Sequence, residues 1–189
     1  MANNNDLLII EKVLQGDRNA FAILVDNYKD MAVSLAFNIL LNQEDAEEVA
    51  QDAFVKAYKA LAAFKRQSKF STWFYRIVVT TALNKKKLKK HPLVSIENST
   101  GELLGISDNG VPELIGKANR QHVLQALKTL GDNERTCIAL YYLDELSIEE
   151  IKSITGITTS NIKVLLHRGR KNMYMALQQL LKKEITDLI

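Results

Sequence analysis

Apolar residues recur at three- and four-residue spacing through most of the chain. Phe21, Leu24, Val25, Tyr28, Ala32, Leu35, Ala36 and Ile39 form one series, and Ala46, Val49, Ala50, Ala53, Phe54, Ala57, Tyr58 and Leu61 a second. Such spacing gathers each series on one helix face, so the pattern predicts two amphipathic helices that pack on each other. A third helix is predicted to start at a cap on Ser71 or Thr72 and to run through the aromatics into the lysines of NKKKLKK. Helical periodicity resumes at HVLQALKTL and continues in short pieces toward the end, and no segment alternates as a strand would. The expected fold class is all-α.

Between these helical halves, residues 92–116 read PLVSIENSTGELLGISDNGVPELIG and hold both prolines and four of the eight glycines. Proline and glycine at that density break regular structure, so the stretch reads as a flexible linker with at most a short helical turn. Two small helical domains, 1–91 and 117–189, are expected on either side of it. Fully extended, the linker reaches roughly 80 Å. The domains need not touch.

The segment LSIEEIKSITGITTSNIKVLLHRGRKNMYMAL has a more definite grammar. Ser147 followed by Glu150 is a capping-box pattern, and Ile148, Ile151 and Ile154 share the inner face of the short helix it opens. Gly156 supplies the permissive backbone of a tight turn, and Thr158, Thr159 or Ser160 can cap the next helix. This is a helix-turn-helix. On the second helix Ile162, Leu165, Leu166, Gly169 and Met173 face inward, leaving Asn161, Lys163, Val164, His167, Arg168, Arg170 and Lys171 outward. From Ile151 to Lys183 there is no acid. A helix entering a major groove needs such a surface, with cations for phosphates and small groups for base edges; a plain solvated basic face is the competing reading.

Composition narrows the class. The chain is 189 residues with 47% hydrophobic and 25% charged residues, which describes a folded protein with room for one ordinary domain or two small ones. No apolar run approaches the roughly 18 residues of a membrane helix. The start, MANNNDLLIIEK, lacks the basic opening of a secretory signal, and the single cysteine excludes an internal disulfide framework; a cytoplasmic location is expected. Cys137 lies among apolar neighbours and reads as a buried structural thiol. No Cys or carboxylate stands at ligand spacing from the three histidines, and no phosphate loop or nucleophile elbow is present. Neither a metal, a cofactor nor an enzymatic activity is expected.

The net charge of +3 conceals a division. Residues 1–91 carry 14 basic and 10 acidic groups, 92–116 carry 4 acidic and no basic ones, and 117–189 carry 11 and 8. Within the first part, no acid occurs between Asp52 and Glu97, a stretch with eleven Lys or Arg residues. Phe70, Trp73, Phe74 and Tyr75 interrupt it. A solubilising surface needs charge alone, so the interleaved aromatics call for a partner with flat apolar faces or for a core.

In their order, QEDAEEVAQDAFVKAYKAL, FKRQSKFSTWFYRIVVTTALNKKK, the linker and LSIEEIKSITGITTSNIKVLLHRGRK resemble the extracytoplasmic-function (ECF) sigma factors of bacterial RNA polymerase. The resemblance runs from AFAILVDNY to RKNMYMAL. It implies a transcription initiation factor that binds core RNA polymerase through the β′ clamp helices and the β subunit. It further implies recognition of promoter DNA as single strand at the −10 element and as duplex at the −35 element. Stacking of unpaired bases, worth roughly 1–3 kcal/mol each, would offset local opening of the duplex.

By this resemblance the −10 residues are Lys56, Ala60, Phe64, Ile77, Thr80 and Asn84 around the bases, with Arg76, Lys85, Lys86 and Lys87 nearer the phosphates. Trp73 is open between core and DNA, and Phe74 and Tyr75 read as core. Lys163, Val164, His167, Arg168 and Lys171 fall on the −35 surface. Glu48, Gln51, Asp52 and Val55 share a stripe opposite the apolar face of their helix and are expected to meet polymerase, while Glu44, Asp45 and Glu47 suit a helix N-terminus on charge alone. An anti-sigma factor is expected as a further partner. The chain departs from the family's pattern at Leu165, where a basic residue is frequent, and at Thr80, where Asn is.

Two other classes compete. A stand-alone helix-turn-helix regulator accounts for residues 117–189 and leaves the acidic and then aromatic-basic order of the first half without a purpose. A single-strand-binding module without polymerase accounts for Phe64 and the lysines and leaves the helix-turn-helix idle.

Overall fold

The computed structural model describes residues 4–90 and 121–187, all of whose regular structure is helical. The expected linker, 92–116, lies outside the described residues.

Four helices build the amino-terminal module. The first, α1 (Asn4–Leu14), buries Ile9 and Ile10. Its Asp6 is buried too and accepts a 2.6 Å hydrogen bond from the Tyr28 hydroxyl. Burial and then this carboxylate push the Tyr28 hydroxyl above its ordinary pKa. Helix α2 (Arg18–Leu40) opens on Asp17, whose side chain accepts from the Asn19 and Ala20 amides. Leu41, in the left-handed region at φ 57°, closes it, and Asn42 caps α3 (Gln43–Ala60) by accepting from the Asp45 amide. A two-residue connection therefore folds α3 back on α2.

Helix α4 (Phe70–Lys90) begins before the expected Ser71 or Thr72 cap, and both residues lie inside its first turn. The reason is packing. Starting at Phe70 sets Phe70 and Phe74 one above the other on the buried face, their rings stacked at 5.9 Å, and Phe54 and Tyr28 close around them. Helices α3 and α4 run antiparallel: Lys85 lies opposite Glu48, Thr81 opposite Lys56, and Phe70 opposite Phe64.

In the carboxy-terminal module, α5 (121–128) precedes α6 (Asp132–Ile138), whose axis continues through a π-helical turn, Ala139–Leu143. Ser147 and Glu150 form both halves of the capping box that opens α7 (Ile148–Thr155). Gly156 ends it at φ 74°, a left-handed conformation that favours glycine. Thr158 accepts from the Asn161 amide at 3.4 Å at the start of α8 (Thr159–Asp187). At Gly169 α8 lies close against α6: a Cβ there would stand 2.8 Å from Ile138 Cγ1. Cys137 is fully buried, and burial raises its thiol to about 11.

The modules do touch. Helix α7 packs on α4, and α6 with the following turn packs on α2. Arg135, only 5% exposed, donates to the carbonyls of Leu127, Lys128 and Leu130 at the end of α5, and across the interface to Ile39 at the end of α2. Four of its bonds thus satisfy carbonyls that helix ends leave open.

Candidate nucleic-acid interface

Helix α4 presents different residues in different directions. Phe74, Val78 and Thr81 are buried toward α2 and α3, and Tyr75, Val79, Ala82 and Lys86 form the adjoining row, toward the carboxy-terminal module. Trp73, Ile77, Thr80 and Asn84 make a third row, with Thr80 and Asn84 exposed and Trp73 and Ile77 half-buried. Arg76 and Lys87 flank it and are exposed. These are the positions from which α4 offers polar, apolar and cationic groups together.

Aromatic residues behave differently from one another. Phe74 is fully buried and Phe70 nearly so, consistent with core. Phe64 is only 8% exposed, with its ring 5.1 Å from Trp73 and 6.0 Å from Phe70. Its ring therefore packs against Trp73 and Phe70 and keeps only a small part of its surface open. Ala60 is half-buried at the same end of α3. Lys56, exposed, donates to Thr81 at 3.2 Å.

The lysines are the larger surprise. Lys85 bridges to Glu48 and to Asp45 at 3.4 Å, and Lys89 meets Asp45 at 2.5 Å. Burial opposes the charge on Lys85, but its bonds to Glu48 and Asp45 outweigh that and raise its pKa. Lys86 reaches Asp132 at 2.7 Å and the Ile39 carbonyl at 3.2 Å. A stretch without acids of its own thus borrows them from α3 and α6. Asp45, whose side chain is 13% exposed, is a clamp for two lysines and not merely a favourable charge at a helix start.

Glu48, Gln51, Asp52 and Val55 are all exposed on one stripe of α3. An open groove lined by Glu48, Asp52, Lys56, Thr81, Asn84 and Lys85 joins this stripe to the third row of α4. The structure thus brings one end of the expected polymerase surface against the expected −10 surface.

On α8, Asn161, Lys163, Val164, His167, Arg168, Arg170 and Lys171 are all exposed, while Ile162, Leu165, Leu166 and Gly169 are buried. Arg168 pairs with Glu134 at 3.2 Å, which holds its guanidinium toward α6. Leu165, at 8% exposure, is inside the module, so a basic side chain at this position would have to leave the core.

Exposed polar and cationic positions on α4, beside a second module whose helix-turn-helix presents a basic face, are the kind of surface that nucleic acid requires. Comparison with known proteins agrees: residues 24–91 match the family model of Sigma-70 region 2, and 120–173 that of Sigma-70, region 4. The chain is 34% identical over 187 residues to the ECF RNA polymerase sigma factor SigW of Bacillus subtilis, covering 95% of this chain and 96% of that one. It is 33% identical to the ECF RNA polymerase sigma-E factor of Escherichia coli K12, covering 94% and 97%. The chain belongs to the ECF sigma factors. Among solved structures, CnrH in complex with the cytosolic domain of CnrY is similar at a TM-score of 0.67 with 19% identity, covering 91% and 96%. RpoE in complex with the anti-sigma factor NepR from Bartonella quintana is similar at 0.64 with 19% identity, covering 84% and 96%. Both share the fold. Among the described residues no helix is long and apolar enough to cross a membrane.

Proposed function

We propose that this sigma factor divides its work among three surfaces. Glu48, Gln51, Asp52 and Val55 dock on the β′ clamp helices of core RNA polymerase. Ile77, Thr80 and Asn84, with Lys56, Ala60 and Phe64 beside them and Arg76, Lys85, Lys86 and Lys87 at the phosphates, hold the −10 non-template strand. Lys163, Val164, His167, Arg168 and Lys171 read the −35 duplex. Residues 1–91 and 117–189 are the two domains and 92–116 the tether. The protein works in the cytoplasm, without catalysis of its own, and an anti-sigma factor restrains it.

The observation that carries this reading is the row Trp73, Ile77, Thr80, Asn84. It stays open although α4 is packed on two other sides. A stand-alone helix-turn-helix regulator has no use for it. Photoreactive residues at positions 80 and 164 test the assignment in open complexes. Position 80 should label the −10 non-template strand and position 164 the −35 duplex; the reverse pattern, or labelling of neither element, contradicts it.

A further inference from the structure

Glu134 of α6 is a nearly buried carboxylate, its side chain 8% exposed, and α8 takes up both of its oxygens. Oε1 stands 3.2 Å from Arg168 Nε, and Oε2 accepts a 3.1 Å hydrogen bond from the Asn172 side-chain amide. Arg168 and Asn172 are one turn apart on α8. Gly169 lies between them without a side chain to hold α6 off, and a Cβ there would come within 3.8 Å of Glu134 Cβ. The carboxylate sits in that notch.

An acid in the first turn of a helix is favourable on charge alone, but a solvated side chain serves that purpose as well. Burying a carboxylate adds a desolvation cost that pairing seldom more than offsets, so stability is a poor reason for this arrangement. Arg168 is the partner with something to gain. Its side chain is 64% exposed, and a solvated arginine loses binding energy when a ligand must fix its rotamers. Here Nε is anchored from behind, which fixes the plane of the guanidinium and leaves its terminal edge, Nη1 and Nη2, to a ligand. Glu134 also matches the arginine's charge, so the pair attracts a phosphate less than a bare cation does. What remains is a rigid fork, the geometry that takes guanine O6 and N7 together in a major groove.

We propose that Glu134 is a positioning residue for −35 recognition: it makes Arg168 a reader of a guanine edge instead of a phosphate clamp. This rests on the assignment of α8 to the −35 duplex made above. Attraction to the DNA backbone is left to Lys163 and Lys171, exposed on the same helix.

The test reconstitutes the full chain with core polymerase, selects duplexes from a library randomised across the −35 element, and measures binding of the selected duplex against its single-base variants. The wild type should prefer guanine at one position by about tenfold or more. Glu134→Gln should reduce that preference to about threefold or less, while unrelated duplex is bound at least as tightly as by the wild type because a negative charge has gone. Weaker binding to every duplex with the guanine preference intact is the result of a purely structural Glu134, and it overturns the proposal; so does a preference that does not change. Arg168→Lys keeps the cation and leaves α6 untouched, so a folding defect in the first variant does not decide the matter. It should lose the same preference, and adding Glu134→Gln to it should cost nothing more. A preference that survives Arg168→Lys overturns the proposal too. If the wild type selects a −35 element and these variants leave it unmoved, only the positioning role fails. If it selects none, the assignment of α8 fails and this proposal with it.

Discussion

The Tyr75 hydroxyl of α4 donates a hydrogen bond to Asp144 of the other module, 69 positions away in sequence, and this carboxylate has one oxygen satisfied and one buried without a partner. Burial raises Asp144 to about 6, with the Tyr75 bond opposing part of the shift. Nearby, Tyr75 itself is raised by burial and by Asp144, and Glu150 is held low by Ser147 and Lys69. Asp144 is thus the group expected to titrate at the interface in mildly acidic solution. A carboxyl raised in the folded state favours that state when protonated. Its contribution is present at low pH and is lost as pH rises through about 6. Against Asp144→Asn, which cannot titrate, the wild type should lose ground in Tm between pH 4 and 7 and hold level above that. A difference independent of pH contradicts the assignment.

Asp52→Lys reverses a charge in the middle of the α3 stripe, on an exposed side chain. Helix content should be unchanged, and affinity for core polymerase should fall about tenfold or more, with the loss largest at low salt. Binding to free −35 duplex should not move.

Lys163→Ala removes an exposed cation from the outer face of α8. Promoter affinity should weaken and the slope of log K against log salt should become shallower by about one, while polymerase binding is retained. Equal loss in both assays for this variant would contradict the separation of surfaces.

Gly169→Ala tests the α6–α8 contact. Alanine gains about 1 kcal/mol of helix propensity over glycine. The new methyl must displace Ile138, which lies 2.8 Å from it in a fully packed place, and overpacking of that kind costs about 1–3 kcal/mol. Denaturant unfolding should show a net loss of about 1 kcal/mol. A more stable variant would show that α6 yields easily.

Much of this was legible in the chain. The periodic series gave α2 and α3, the capping box and Gly156 gave α7 and the turn, and every α8 position read as outward is exposed. Those features are local, and local spacing determines them. Helix α1 carries Leu7, Ile10 and Leu14 at helical spacing, a series too short to stand out beside those of α2 and α3. What local reading could not reach is tertiary pairing. The counter-charges of Lys85, Lys86 and Lys89 come from α3 and α6, 37 to 46 positions away. Phe64 is assigned to the base pocket by resemblance alone, and local reading could not show that its ring packs beside Phe70 and Trp73. The linker's length allowed the modules to stand apart without requiring it, and only the structure shows α7 seated on α4.

The central claim, that this chain is the promoter-specifying subunit of a polymerase, is tested most directly by co-elution with core RNA polymerase in size exclusion, followed by run-off transcription from a mixed promoter library. The account predicts a stable complex and new promoter-dependent transcripts that share a −10 and a −35 element. A chain that shifts duplex DNA alone and neither binds core nor directs transcription would contradict it.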